Sequence, residues 1–162
     1  MPNLKTEHDK GLDNSLQGSE AEAIVKRIRE KTIEWGVALP PVEPLLFDFG
    51  LGDFDTIGET EFWIANEEMQ GYCGKYMFLF AGQRCPEHMH KEKHETFFIV
   101  KGDVEMTVDG KTFLMHPGDV LPLETSTLHT FKAATDSLIL EISKPSIIAD
   151  NYFSDPRLGY KD

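Results

Sequence analysis

The chain carries two hydrophobic rhythms, and the change between them falls near residue 45. Ahead of it, apolar side chains recur at Ile24, Val25, Ile28 and Trp35, the three-to-four spacing of one helix face. Ser19 as N-cap with Glu22 three residues on makes a capping-box pattern, and Gly36 supplies a stop, so 20–35 is predicted as one amphipathic helix. The LPPVEP that follows cannot extend it, because proline lacks an amide proton and restricts the residue before it. Beyond it come short apolar or alternating runs punctuated by glycine, proline and aspartate: TEFWIAN, KYMFLFAG, ETFFIVKG, DVEMTVDG, KTFLMHPGD, LHTFKA and SLILEIS. Each has the length of a strand. Asp109-Gly110 between alternating residues signals a tight hairpin, since both positions tolerate positive φ. No helical pattern separates these runs, so parallel crossovers are disfavoured and an all-β antiparallel sandwich or barrel is predicted.

Length divides accordingly. Residues 1–18 are polar and aperiodic and read as a mobile tail, or an arm that orders on a partner subunit; 19–44 hold the helix and its proline-rich connection; 45–162 form the barrel. The closing IIADNYFSDPRLGYKD is loop-like yet aromatic, which predicts a segment wrapping back onto the body.

A net charge of -12 repels phosphate backbones and anionic lipid, so nucleic acid and membrane surfaces are poor partners and small molecules are favoured. Cys73 and Cys85 are too few for a disulfide framework, no apolar run approaches the roughly 20 residues of a membrane span, and MPNLKTEHDK lacks a secretory core. These features predict a cytoplasmic protein with reduced thiols.

The stretch GQRCPEHMHKEKHETFFIVKG concentrates imidazoles and carboxylates beside an apolar strand. His88 and His90, two apart, project from one face of an extended chain and can share an ion. Glu95 has the wrong parity for the same straight strand, but KEKH reads as a turn that resets direction, after which Glu95, Phe97 and Ile99 share a face. His94 has the opposite parity and competes with Glu95 for that face. His129, far along in TLHTF, would reach the same mouth if the barrel closes. Three imidazoles and one carboxylate make the protein's share of a divalent-metal site with open positions. His8 and His116 read as structural or surface groups.

Those residues resemble the cupin superfamily, whose first motif is glycine, five residues, His-x-His, a short gap, glutamate, six residues, glycine. Gly82, His88, His90, Glu95 and Gly102 satisfy it, and Pro117 to Asp119 with His129 resemble the second motif, although LETSTLH stands where cupins usually show proline and glycine. The resemblance implies an antiparallel jelly-roll barrel. YCGKYMFLFAGQRCPEHMHK, HETF and YFSDPRLG are further similar to the D-lyxose isomerase family of cupins, which implies Mn²⁺, with Fe²⁺, Zn²⁺, Co²⁺ or Ni²⁺ acceptable to the same donors.

Aldose-ketose conversion needs a divalent ion and a base that moves a proton between neighbouring carbons through an enediol. Glu141, sharing a face with Ile139 in SLILEIS, is the candidate base, and is either buried with a raised pKa or a solvated outer-face group. Lys75 shares parity with Met77 and Leu79 and is the candidate for stabilising enediolate charge, or snorkels at a strand end. Asp150 and Asp155 are candidates for holding sugar hydroxyls, and Arg157 either pairs with Asp155 or grips a phosphate; the competing reading, preferred for all three, is structural, with DPR as a turn. Cys73 and Cys85 read as packing residues. The function expected is isomerisation of a pentose-like sugar or its phosphate by a homodimer. The rival expectations are an iron dioxygenase, an enzyme of sulfur-containing sugar phosphates and a non-catalytic sugar binder.

Overall fold

The computed structural model describes residues 4–159. A six-residue helix α1 (Glu7–Leu12) precedes the long α2 (Gly18–Glu34). The strands are β1 (Leu45–Phe47), β2 (Glu59–Glu67), β3 (Tyr72–Leu79), β4 (Arg84–Met89), β5 (Glu95–Lys101), β6 (Val104–Val108), β7 (Lys111–Met115), β8 (Val120–Leu123), β9 (His129–Ala133), β10 (Ser137–Ser143) and β11 (Tyr152–Phe153), with one 3-10 turn at Ile148–Asp150. They build a six-stranded sheet ordered β1-β2-β3-β10-β5-β8 and a five-stranded sheet ordered β11-β4-β9-β6-β7, antiparallel between neighbours. This is the all-β architecture that the alternation predicted.

Alternation explains how the two sheets close on each other. Met77, Leu79, Phe97, Ile99 and Ile139 of the larger sheet meet Cys85, Val104, Met106 and Phe131 of the smaller one in a buried core. On the outer face of the larger sheet, Phe62, Phe78 and Leu138 pack under Ala21, Ile24 and Ile28 of α2. The β6 to β7 hairpin turns at Asp109 and Gly110 with φ of 47° and 79°, as the dipeptide required. Gly102 takes φ of 79°, and a Cβ there would run into the Asp136 carbonyl and Ser137.

Two local expectations are corrected. The helix begins at Gly18 with Gln17 as N-cap and no side-chain cap bond, so Ser19 lies inside it and the Ser19-Glu22 box does not form. Gly36 stops it with φ of 70°. The stretch read as a mobile tail holds α1, capped by a reciprocal box between Thr6 and Asp9. Tertiary contacts fix it: Glu7 Oε2 accepts from Ile148 N at 2.8 Å, His8 Nε2 lies 3.0 Å from Glu43 O, and the His8 ring meets Trp63 edge-on. Residues 1–3 and 160–162 lie outside the described range. No helix among the described residues is long and apolar enough to cross a membrane.

Candidate metal and sugar site

Strand β4 departs from simple pairing where the histidines begin. Cys85 pairs with Phe131 and His88 with His129, so three steps on β4 answer two on β9, a bulge at Pro86 and Glu87. The extra residue lets Cys85 and His88 both turn inward, and His90 follows one turn of the pleat later. The three imidazoles meet: ring centroids of His88 and His129 are 4.3 Å apart, His88 and His90 4.8 Å, His90 and His129 5.6 Å.

Their tautomers are set by the backbone. Each Nδ1 faces a carbonyl, His88 to Pro86 O at 2.8 Å, His90 to Asp150 O at 3.0 Å and His129 to Thr127 O at 2.9 Å. With the protons at Nδ1, each Nε2 keeps its lone pair for the interior. Donor nitrogens of all three lie within 4.8 Å of one another. Across the barrel, Glu95 Oε1 stands 2.9 Å from His129 Nε2 and 3.4 Å from His90 Nε2. Glu95 Oε1 and His129 Nε2 are nevertheless buried without a hydrogen bond of acceptable geometry. A buried carboxylate oxygen beside an imidazole lone pair is repulsive unless a cation lies between them, so these donors fit a divalent ion. Burial pushes the His88 imidazolium well down, with help from His129 and His90, and keeps it neutral for ligation. Burial alone would raise the Glu95 carboxyl; the Lys93 ammonium, 3.2 Å from its Oε2, is the largest opposing influence, and the carboxyl stands well below the usual range.

His94 points away, its side chain 39% exposed near Glu124, so the parity contest resolves with Glu95 inward. The turn that achieves this is held from the C-terminal segment. Asp150 Oδ1 accepts from Lys91 N and Glu92 N at 2.9 and 3.2 Å, and Oδ2 from Glu92 N and Lys93 N at 3.1 and 3.0 Å. Asp150 therefore spends its carboxylate on the turn and its carbonyl on His90, which is the structural alternative of its two sequence readings. Asp155 and Arg157 pair with each other at 2.6 Å on the exterior and are apart from the cavity. The loop before His129 gives Ser126 a φ of 60° and ties Ser126 N to His90 O.

Glu141 is 2% exposed and faces the interior, so the solvated alternative falls. Its Oε1 accepts from Lys93 Nζ at 2.7 Å, and its Oε2 lies 3.7 Å from Lys75 Nζ. Lys93 also reaches Glu95 Oε2 at 3.2 Å and so bridges candidate base and candidate ligand. Lys75 does not snorkel: it is buried and binds Glu61 Oε1 at 2.9 Å, with Ser146 Oγ at 3.4 Å. Burial would lower both ammonium groups, but Glu141 with Glu61 raises Lys75 well above its ordinary value and Glu141 with Glu95 raises Lys93. The sequence reading passed over Lys93, Glu59 and Glu61, although the parity of ETEFW places Glu59 and Glu61 on one strand face with Trp63. Cys73 and Cys85 are free and buried; burial pushes the Cys85 thiol well up, which suits packing.

An inner cavity of about 40 Å³ is lined by His88, His90, Glu95, Lys93 and Glu141, and adjoins an outer basin of about 660 Å³ walled partly by Asp13, Asn14 and Ser15 and by the C-terminal segment.

Comparison with known proteins agrees with this geometry. A cupin domain model matches residues 76–142. A D-lyxose ketol-isomerase of Thermofilum sp. is 30% identical over 171 residues, covering 83% of this chain and 93% of that protein. A D-lyxose/D-mannose isomerase of Thermosediminibacter oceani is 29% identical over 174 residues, covering 88% and 95%. The solved L-ribose isomerase of Cellulomonas parahominis superposes with a TM-score of 0.73 over 90% of this chain and 96% of that one, at 15% identity, a likeness of fold.

Proposed function

This chain belongs to the D-lyxose isomerase family of cupins and is an aldose-ketose isomerase; we propose that its substrate is a D-lyxose-like aldopentose or its phosphate. We assign His88, His90, Glu95 and His129 as the ligands of one divalent ion, with Mn²⁺ suggested by the family and Fe²⁺, Zn²⁺, Co²⁺ or Ni²⁺ acceptable to the same donors. When bound, the ion polarises the sugar's carbonyl and adjacent hydroxyl. Glu141 takes the proton from C2 of the aldose and returns it to C1, while a hydroxyl proton passes from O2 to O1. Lys93, shared between Glu141 and Glu95, keeps the Glu141 carboxylate oriented and offsets negative charge on the enediolate oxygens; Lys75 adds a second positive charge from the other side. The observation that carries this reading is the placement of Glu141, between two ammonium groups, in the same small cavity as Glu95 and the imidazoles of His88 and His90, whose Nδ1 atoms are tied back.

Metal analysis of the purified protein, followed by a screen of pentoses, hexoses and their phosphates, tests it. Interconversion of an aldopentose with its ketose by Mn²⁺-loaded protein is expected, and absence of any conversion would contradict it. A homodimer and a cytoplasmic setting complete the reading, the first supported by an uncharged sheet face and the second by two free, buried thiols.

A further inference from the structure

The inner cavity, about 40 Å³, opens directly on the outer basin of about 660 Å³, so a sugar whose reacting carbons lie beside Glu141 extends its remaining carbons towards the basin. The residues that line both the inner cavity and the outer basin are Phe49, Glu59, Glu61, Lys75, Asn151 and Phe153. They form the collar the chain must cross. Most of their polar atoms are already committed. Glu61 accepts from Trp63 Nε1 and from Lys75 Nζ, both at 2.9 Å, and Asn151 Nδ2 donates to Ile148 O at 2.9 Å. Glu59 is different: it is 4% exposed, and its Oε2 is buried without a hydrogen-bond partner.

Resting on the isomerase reading above, we propose that Glu59 is a specificity-determining residue, one that holds a sugar hydroxyl beyond C2 where the chain crosses the collar. An orphaned oxygen in a buried position costs free energy that a bound hydroxyl would recover. The electrostatics set the form in which it does so. Burial, and then the neighbouring Glu61 carboxylate, push the Glu59 carboxyl well up and so favour its neutral acid form beside Glu61, whose carboxyl is lowered. A neutral carboxyl offers one donor and one acceptor, the complement of a hydroxyl, and adds no negative charge to a pocket that already holds Glu61, Glu95 and Glu141.

Two measurements test this. In the first, kcat/KM is compared for the parent aldopentose and its 3-, 4- and 5-deoxy analogues. Wild-type protein should lose about tenfold or more on one analogue, Glu59→Leu should process that analogue and the parent within about twofold of each other, and Glu59→Gln, which keeps a donor and an acceptor, should retain the discrimination. Equal discrimination in wild type and Glu59→Leu would overturn the proposal. In the second, which needs no apolar variant, the infrared carbonyl band of a protonated carboxyl, identified by its loss in Glu59→Gln, should shift when sugar binds. A band indifferent to sugar, or no such band, would overturn it equally. A wild-type protein that turns over no sugar fails the isomerase reading at the outset, and the infrared shift on binding then still decides the role of Glu59.

Discussion

Asp150 acts twice on the histidine cluster, through its carboxylate on the amides of Lys91, Glu92 and Lys93 and through its carbonyl on His90 Nδ1. Loss of the carboxylate would free the turn that carries Lys93 and orients Glu95. Asp150→Ala is therefore expected to weaken metal affinity about 10–100-fold, measured by competition with a chromophoric chelator, although Asp150 itself is no ligand. An unchanged affinity would show that the turn holds without it. Glu59 gives a second residue-scale outcome. Its folded-state pKa lies above the ordinary carboxylate value, so the folded chain keeps a proton that the unfolded chain releases; the stability this contributes is present at low pH and lost as pH rises past the ordinary value. Glu59→Gln removes that dependence, and its melting temperature relative to wild type should climb as pH rises above the ordinary carboxylate value. His88, His90, Glu95 and His129 were legible because each motif position fixes a residue type and a parity. The function of Asp150 was not, because it depends on a contact spanning 57 to 60 residues of chain.

At the scale of elements, sequence periodicity found α2 and most strands longer than four residues, but not β1, β8 or β11, which are two to four residues long. So short a run has no alternation to detect. Strand β4, which carries His88, hid its strand character behind a proline and a bulge. Helix α1 escaped because its stability is tertiary: Gly11 lets it approach Leu45 and Ile148, and Glu7 accepts from a backbone amide 141 residues away. That bond predicts its own test. Glu7→Ala leaves the half-buried Ile148 N–H without its acceptor and should cost about 1–3 kcal/mol in chemical denaturation, with the C-terminal segment gaining hydrogen exchange before the barrel does.

The whole molecule carries a net charge of -12, yet the outer face of β10, β5 and β8 around Ile142 and Leu140 carries no charged side chain. Register places Ile142 beside Thr96 and Pro122, and Leu140 beside Phe98 and Val120, with Ile142 57% and Val120 59% exposed. An isologous contact across this face would bring two acidic chains together without opposing like charges. Ile142→Lys should then shift sedimentation from dimer to monomer while leaving the cavity residues in place; a wild-type monomer would remove the proposed assembly. The account as a whole stands on proton transfer by Glu141 beside the histidine cluster, and isomerisation in D2O followed by NMR tests it most directly. Metal-loaded wild-type protein should place solvent deuterium at C1 of the ketose in those turnovers in which Glu141 exchanges its proton with water before returning it, and Glu141→Gln should convert about 10²–10⁴-fold more slowly with its metal content unchanged. Undiminished turnover by Glu141→Gln would contradict it.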